Sequence, residues 1–298
     1  MKKSVSLLLA GLMLCGALAG CGGNNNTAEN TDSQTEQTSE STGMSGAIHV
    51  VSREDGSGTR GAFVELTGVE DDNGDNTTVE AEIANRTDAV LTTVAGNEAA
   101  IGYVSLGSLN DTVKAVTVDG VEATVDNVKS GTYTLSRPFN IATKGEPTGV
   151  AADFINFIMS ADGQAIVGED YITVNDEAEA FASDGSSGQI TVGGSSSVSP
   201  VMEQLIEAYK AVNPNAQIDL QTSDSTSGMT GAMDGTFAIG MASRELHEDE
   251  AGQLTAQAIA MDGIAVIVNP ANTVDNLTMD QIRSIYVGET TDWSEVAE

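Results

Sequence analysis

Three times in this chain a short apolar strand runs into a turn rich in glycine and hydroxyl residues, and then into the start of a helix. The first is Ile48-His49-Val50-Val51, then Ser52-Arg53-Glu54-Asp55-Gly56-Ser57-Gly58-Thr59-Arg60-Gly61, then Ala62 to Leu66. The second passes from Gln189-Ile190-Thr191-Val192 through Gly193 to Pro200 into a helix over Val201 to Val212. The third passes from Ala216–Leu220 through Thr222-Ser223-Asp224-Ser225-Thr226-Ser227-Gly228 into a short helix near Met229 to Met233. Strands alternating with helices make an α/β fold, in which ligands gather beyond the carboxyl ends of the strands. The first N–H groups of a helix have no partner within it, so such a turn suits an anion.

In the first turn, Gly56 and Gly58 are expected to adopt the positive φ of an anion-binding nest. Ser57 and Thr59 add hydroxyl donors, and Arg53 adds a planar fork that Asp55 is placed to hold. Gly-Ser-Gly-Thr alone is a common capped turn; the arginine ahead of it and the strand behind it point to a ligand. No lysine follows the last glycine, so the nucleotide phosphate-loop pattern is absent. Three such turns from distant parts of the chain imply one shared site in a cleft between lobes.

The first residues read as a leader. Lys2 and Lys3 precede an apolar run from Ser4 to Ala17, and Leu18-Ala19-Gly20-Cys21 resembles a bacterial lipobox in which Cys21 is lipidated. The expected boundaries are a signal peptide over 1–20 and a disordered tether over 21–45, rich in Asn, Thr, Ser, Gln and Glu. The other cysteine, Cys15, falls within the leader, so the mature chain is expected to hold no disulfide. Loss of Lys2 and Lys3 takes the formal charge from −32 to −34. Such a surface argues against nucleic acid or an anionic membrane face as partners. An anion site remains compatible with it, because donors act at contact distance while surface charge is screened beyond roughly 10 Å.

Elsewhere, Asp71 to Asp75 reads as a solvated acidic loop, Ala100–Val104 as a strand, and Val113–Val118 and Val121–Ala123 as further strands. Val150 to Val167 reads as one helix with Gly163 as a weak spot. Ser199 and Pro200 are expected at the N-cap and first position of their helix. Asn175 to Gly188 reads as a linker, Ala258–Val268 as two strands or one bent strand, and Thr278–Gln281 as a capping box. His49 and His247 are far apart, and neither has a nucleophile or a metal-ligand spacing beside it. A phosphatase is therefore the weaker alternative, and no metal or cofactor is expected; an oxyanion-sensing or adhesion lipoprotein is another alternative.

Several segments together resemble one family. Gly194 to Pro200, Ala242-Ser243-Arg244-Glu245, Gly263 to Pro270 and Ile282 to Gly288 resemble the first half of the phosphate-binding protein of the bacterial ABC phosphate importer. Ser52 to Phe63, Ala100 to Val104 and Leu135 to Phe139 resemble its second half. The order is reversed, as in a circular permutation, with residues 175–188 joining the family's usual ends. A gene-assembly artefact would give the same order, but one continuous lipobox, tether and folded region favours a true permutation.

The resemblance implies a two-lobed, type II periplasmic-binding-protein-like fold, circularly permuted, with ligand in the inter-lobe cleft. Lobe II would comprise 46–108 and 263–298, and lobe I 109–262, with crossings near Leu106 to Leu109 and Met261 to Ile264. It implies that Arg53, Asp55, Ser57, Gly58, Thr59, Ser196, Ser197 and Ser225 bind inorganic phosphate. Arg244 stands where many members have an aspartate that accepts the ligand's proton. That leaves Asp55, Asp224 or Glu245 to take the role, or Arg244 to reshape the site. The implied partners are the permease and ATPase subunits of the importer, at the extracellular face of the cytoplasmic membrane, with a lipid anchor holding the protein there.

Overall fold

The computed structural model describes residues 43–296. The expected leader, Cys21 and most of the tether lie outside the described residues. One sheet organises the fold. Its strands lie in the order Ala216–Ser223, Gly188–Ser195, Ile239–Ala242, Ser136–Thr143, Thr255–Val268, Ala100–Ser105, His49–Arg53 and Glu82–Ala84. Pairing is parallel at both flanks and antiparallel through the middle. Of the two forms expected for Ala258–Val268, the structure has the single strand: Thr255–Val268 is continuous, with an irregularity between Ala258 and Ala260.

That strand belongs to both ends of the sheet. Thr255 to Gly263 pair with Thr143 to Ser136, and Ile264 to Val268 then pair with Ser105 to Ile101. The partner changes between Gly263 and Ile264, where Ile264 N–H also donates to Leu135 O at 2.7 Å. The buried apolar side chains divide at the same place. One core gathers Phe139, Phe154, Phe157, Val192, Leu205, Tyr209, Met241 and Ile259. The other gathers Phe63, Tyr103, Tyr133, Leu135, Ile264, Ile285, Tyr286 and Trp293.

This corrects the lobe boundary expected at residue 109. Val116, Val118, Val128 and Tyr133 pack into the second core, and Lys114–Ala115 pairs with Ile267 and Val268. Both crossings therefore lie side by side, at Leu135–Ser136 and Gly263–Ile264. Short apolar runs around Asp119-Gly120 carry no signal for which core they join; packing decides it.

Local readings fare unevenly. Ser57 caps the Gly58–Thr67 helix, and Thr278 with Gln281 forms the expected capping box. Val150–Val167 is two helices, Val150–Met159 and Ala161–Asp170, because Ser160 caps the second through Gly163 N–H. Gly163 itself lies against the first helix: a Cβ there would stand 2.2 Å from Phe157 O. The helix over Ser199–Val212 has Val198 at its N-cap, so Ser199 is its first residue. Helices Thr87–Gly96 and Val125–Lys129 were not expected. The segment expected as a linker is pinned down. The Asp153 carboxylate accepts from Ser183 Oγ (2.7 Å), Asp184 N (3.0 Å), Tyr209 OH (2.7 Å) and Asn213 Nδ2 (3.2 Å), and Phe181 packs edge-on against Phe157.

Candidate oxyanion site

Four helix N-termini converge where the two cores face each other: Gly58–Thr67 and Thr87–Gly96 from one side, Ser199–Val212 and Ser225–Asp234 from the other. The helices starting at Thr87 and Ser199 have no side-chain cap, so their N-terminal dipoles are not satisfied locally by an Asx or Ser cap. Between the four lies a buried cluster of hydroxyls with one guanidinium.

Arg53 ends the His49–Arg53 strand and is 2% exposed. Its Nη2 donates to Ser196 Oγ at 3.1 Å, and its Nη1 to Thr87 Oγ1 at 3.3 Å. Thr87 lies 3.2 Å from both Ser196 Oγ and Ser197 Oγ. Thr59 Oγ1 lies 2.8 Å from Ser197 Oγ and 3.5 Å from Ser243 Oγ. Ser195 Oγ donates to Ser243 Oγ at 3.0 Å, and Ser243 N–H donates to Ser225 Oγ at 3.1 Å. The chain of contacts runs without a break from Arg53 to Ser225 and spans both sides of the cleft. Hydroxyls can donate or accept, so the cluster can match an oxyanion in more than one protonation state.

The strand bearing Arg53 is held from behind. Tyr103 OH accepts from Arg53 N–H at 3.2 Å and lies 2.8 Å from Ser52 Oγ, while its ring stacks on Phe63 at 3.9 Å. Burial raises the Tyr103 phenol above its ordinary value despite the Ser52 and Arg53 contacts, so it remains a neutral support. The remaining face of the guanidinium is taken by Glu54, which accepts from Nε and Nη2 at 2.8 Å each. That bidentate pair fixes the plane of the fork and leaves its other edge toward Thr87 and Ser196.

Of the residues predicted from sequence, the structure brings together Arg53, Thr59, Ser196, Ser197 and Ser225, with Ser57 capping the helix start and Gly58 packed against them. Neither Gly56 nor Gly58 has positive φ, contrary to expectation. Close approach requires them instead. A Cβ on Gly58 would meet Ser225 Oγ at 2.4 Å and Ser243 Oγ at 2.8 Å, and one on Gly56 would meet Asp224 Oδ1 at 2.3 Å.

Asp55 stands outside the cluster. Its side chain is 96% exposed and pairs with Arg60 at 2.8 Å, not with Arg53. Arg244 is also elsewhere engaged: its Nη1 and Nη2 meet Glu250 at 2.7 and 2.8 Å, and Nη2 reaches Thr226. It walls a neighbouring groove of about 490 Å³ beside Glu65, Glu70, Glu245 and His247. Burial tends to raise the Glu250 carboxyl, but Arg244 and the His247 N–H outweigh it and hold it below the ordinary value. Asp224 is occupied as a helix cap, accepting from Ser227 N–H and Ser227 Oγ. Glu245 is approached by Asn140 Nδ2, at 3.5 Å.

Sequence reasoning missed Thr87, Ser195, Ser243 and Glu54. Ser243 carries the same signal as the others, a hydroxyl directly after an apolar strand. Thr87 opens the apolar run Ala89-Val90-Leu91, with Asp88 in its first turn, which is a helix-start pattern. His49 pairs with Glu82 at 2.8 Å away from the cluster, and no group of three metal-binding side chains occurs among the described residues.

The architecture is that of a PBP superfamily domain, whose family model matches residues 19–162 and 179–298. Phosphate-binding protein PstS 2 of Streptococcus agalactiae is 46% identical over 304 residues, covering 99% of each chain. Phosphate-binding protein PstS 2 of Streptococcus pneumoniae is 43% identical over 300 residues, again covering 99% of each. A crystal structure of a phosphate-binding protein of a phosphate ABC transporter from Streptococcus pneumoniae superposes with a TM-score of 0.69 at 45% identity, over 85% of this chain and 100% of that one. The chain belongs to this family of phosphate-binding proteins.

Proposed function

We propose that this chain captures inorganic phosphate outside the cytoplasm and delivers it to the permease and ATPase subunits of an ABC importer. The observation that carries the reading is the buried run of hydroxyls ending on Arg53, at four converging helix N-termini. The names of its full-length relatives support the same ligand. Arg53, Thr59, Thr87, Ser196, Ser197, Ser225 and Ser243 would supply donors, with Ser57 and Gly58 shaping the turn. The two lobes, 46–135 with 264–296 and 136–263, would close over the ligand about the paired crossings. In a dry site each neutral hydrogen bond counts for more than in water, so a dianion can be held without a lysine. A hydroxyl would accept the proton of hydrogen phosphate, since Asp55, Asp224 and Glu245 are engaged elsewhere and Glu54 is tied to Arg53.

We read the chain order as a true circular permutation. The beginning and end of the folded region are hydrogen-bonded to one another: Ile48 N–H donates to Thr291 O at 2.8 Å, and Trp293 N–H to Gly46 O at 2.9 Å. A chain passing directly between those ends would need no rearrangement. Relatives that align over 99% of both chains carry the same order, which supports a natural arrangement over an assembly artefact. Lipidation at Cys21 would hold the protein at the outer face of the membrane. Among the described residues no helix is long and apolar enough to cross one.

Isothermal titration with phosphate, arsenate and sulfate tests the reading. Saturable heat is expected with phosphate and arsenate, and the sulfate heat reports whether the accepting hydroxyl can turn to donate to an oxyanion without a proton. Absence of phosphate heat in folded protein refutes it.

A further inference from the structure

Among the described residues, the buried side-chain polar atoms without a hydrogen-bond partner are Arg137 Nε, Arg137 Nη1, Tyr171 OH and Ser108 Oγ. Arg137 and Tyr171 meet in one cluster at the hinge, and Ser108 follows Gly107 at its edge. Arg137 and Asp262 face each other across the two crossing strands, one residue before the Ser136–Gly263 pair where those strands part company. Arg137 Nη2 donates to Asp262 Oδ2 at 3.0 Å, and the two side chains are 2% and 1% exposed. The other carboxylate oxygen accepts from Ser105 Oγ at 3.0 Å, and the Gly107 N–H also points to this carboxylate; both donors belong to the opposite lobe. Tyr171, from the first lobe, is pressed onto Gly107, where a Cβ would stand 2.3 Å from the ring. Its hydroxyl, near Ser105, makes no hydrogen bond of ordinary geometry.

Unpartnered donors around a buried ion pair are costly, and water relieves that cost wherever it is admitted. Ser108 and Gly107 line an opening on the cleft beside Thr87 and Ser196, so parting of the lobes admits water from that side. We propose that Arg137, Asp262, Tyr171 and Ser108 form a hydration-sensitive latch in the hinge, which takes up a proton on closing and couples lobe closure to acidity. The proposal rests on the two-lobed closure described under the proposed function.

The groups around Asp262 set the direction. Burial pushes its carboxyl up to about 6, against the opposing pull of Arg137, Ser105 and the Gly107 N–H. The neutral phenols of Tyr133 and Tyr171 face it, Asp170 lies behind Tyr171, and Arg53 acts on Arg137 from the site. Opening hydrates the carboxyl and returns it toward its ordinary 3.8. The closed form then binds the proton more tightly, so closure is favoured as pH falls through 6 and disfavoured above it. Each unit of difference between the two forms is about tenfold in the closing equilibrium.

Small-angle scattering of the ligand-free full chain tests this without phosphate. The radius of gyration is expected to fall between about pH 7.5 and about pH 5 in the parent, and to hold its compact value at both in Asp262→Asn, a neutral isostere. A pH-invariant radius in the parent overturns the proposal, as does an unchanged pH dependence in the variant. Should Asp262→Asn not fold, carboxyl-carbon NMR of the parent replaces it. The Asp262 midpoint is then expected to be higher in phosphate-saturated protein than in free protein, and equal midpoints overturn the proposal. A protein that compacts with acid yet binds no phosphate would refute the functional reading alone.

Discussion

Replacing Arg53 by methionine keeps most of the buried stem and removes the charged fork. The structure sets the scale. Two guanidinium N–H bonds face the cluster, toward Ser196 at 3.1 Å and Thr87 at 3.3 Å, while Nε and Nη2 are tied to Glu54. Hydrogen bonds involving a charged group contribute about 1.5–3 kcal/mol each, so two redirected onto a ligand contribute about 3–6 kcal/mol. At about 1.4 kcal/mol per decade, Arg53→Met should weaken phosphate binding by about 10²- to 10⁴-fold. Part of that loss comes from Glu54, whose carboxylate is left facing a dianion. Adding Glu54→Gln should therefore recover some affinity, about tenfold. Titration calorimetry measures both, and thermal melting confirms the fold. A folded Arg53→Met protein that binds phosphate within tenfold of the parent would falsify the assignment of Arg53 to the site.

Gly58→Ala tests the close approach of the lobes. Its methyl would stand 2.4 Å from Ser225 Oγ, across the cleft, so affinity should fall at least tenfold while melting changes little. Equal affinity would place the gap elsewhere. Asp153→Ala removes the acceptor that holds residues 183–184 against Tyr209 and Asn213; a loss of about 2–4 kcal/mol in urea unfolding is expected, with faster proteolysis within 175–188. Resistance equal to the parent's would show the segment is held by Phe181 packing alone. Burial tends to raise the Asp153 carboxyl, but hydrogen bonds from Asp184 N–H, Ser183, Tyr209 and Asn213 bring it below 3.8. Its stabilising contribution is therefore present above that value and lost as pH falls through the lower folded one. Asp153→Asn should flatten the acid limb of the stability curve, and an unchanged limb would assign it to other carboxylates such as Glu250.

What the amino-acid order determined by itself is local. Apolar runs, Gly-Ser turns and the Thr278–Gln281 box declare strands, helix starts and the residue types that meet an oxyanion, because these depend on neighbours a few positions away. Arg53, Thr59, Ser196, Ser197 and Ser225 were legible in that way. The tertiary structure alone decided which charges meet. Arg53 takes Glu54 rather than Asp55, Arg244 turns to Glu250, and residues 116–135 join the second core. Glu54 and Glu250 stand only one and six positions from their arginines, so the choice turns on how the packed chain orients each fork, and Ser196 reaches Arg53 from 143 positions away. Gly56 and Gly58 show the same limit. Their sequence suggested backbone freedom, but the reason a side chain cannot stand there is an oxygen brought in from the opposite lobe.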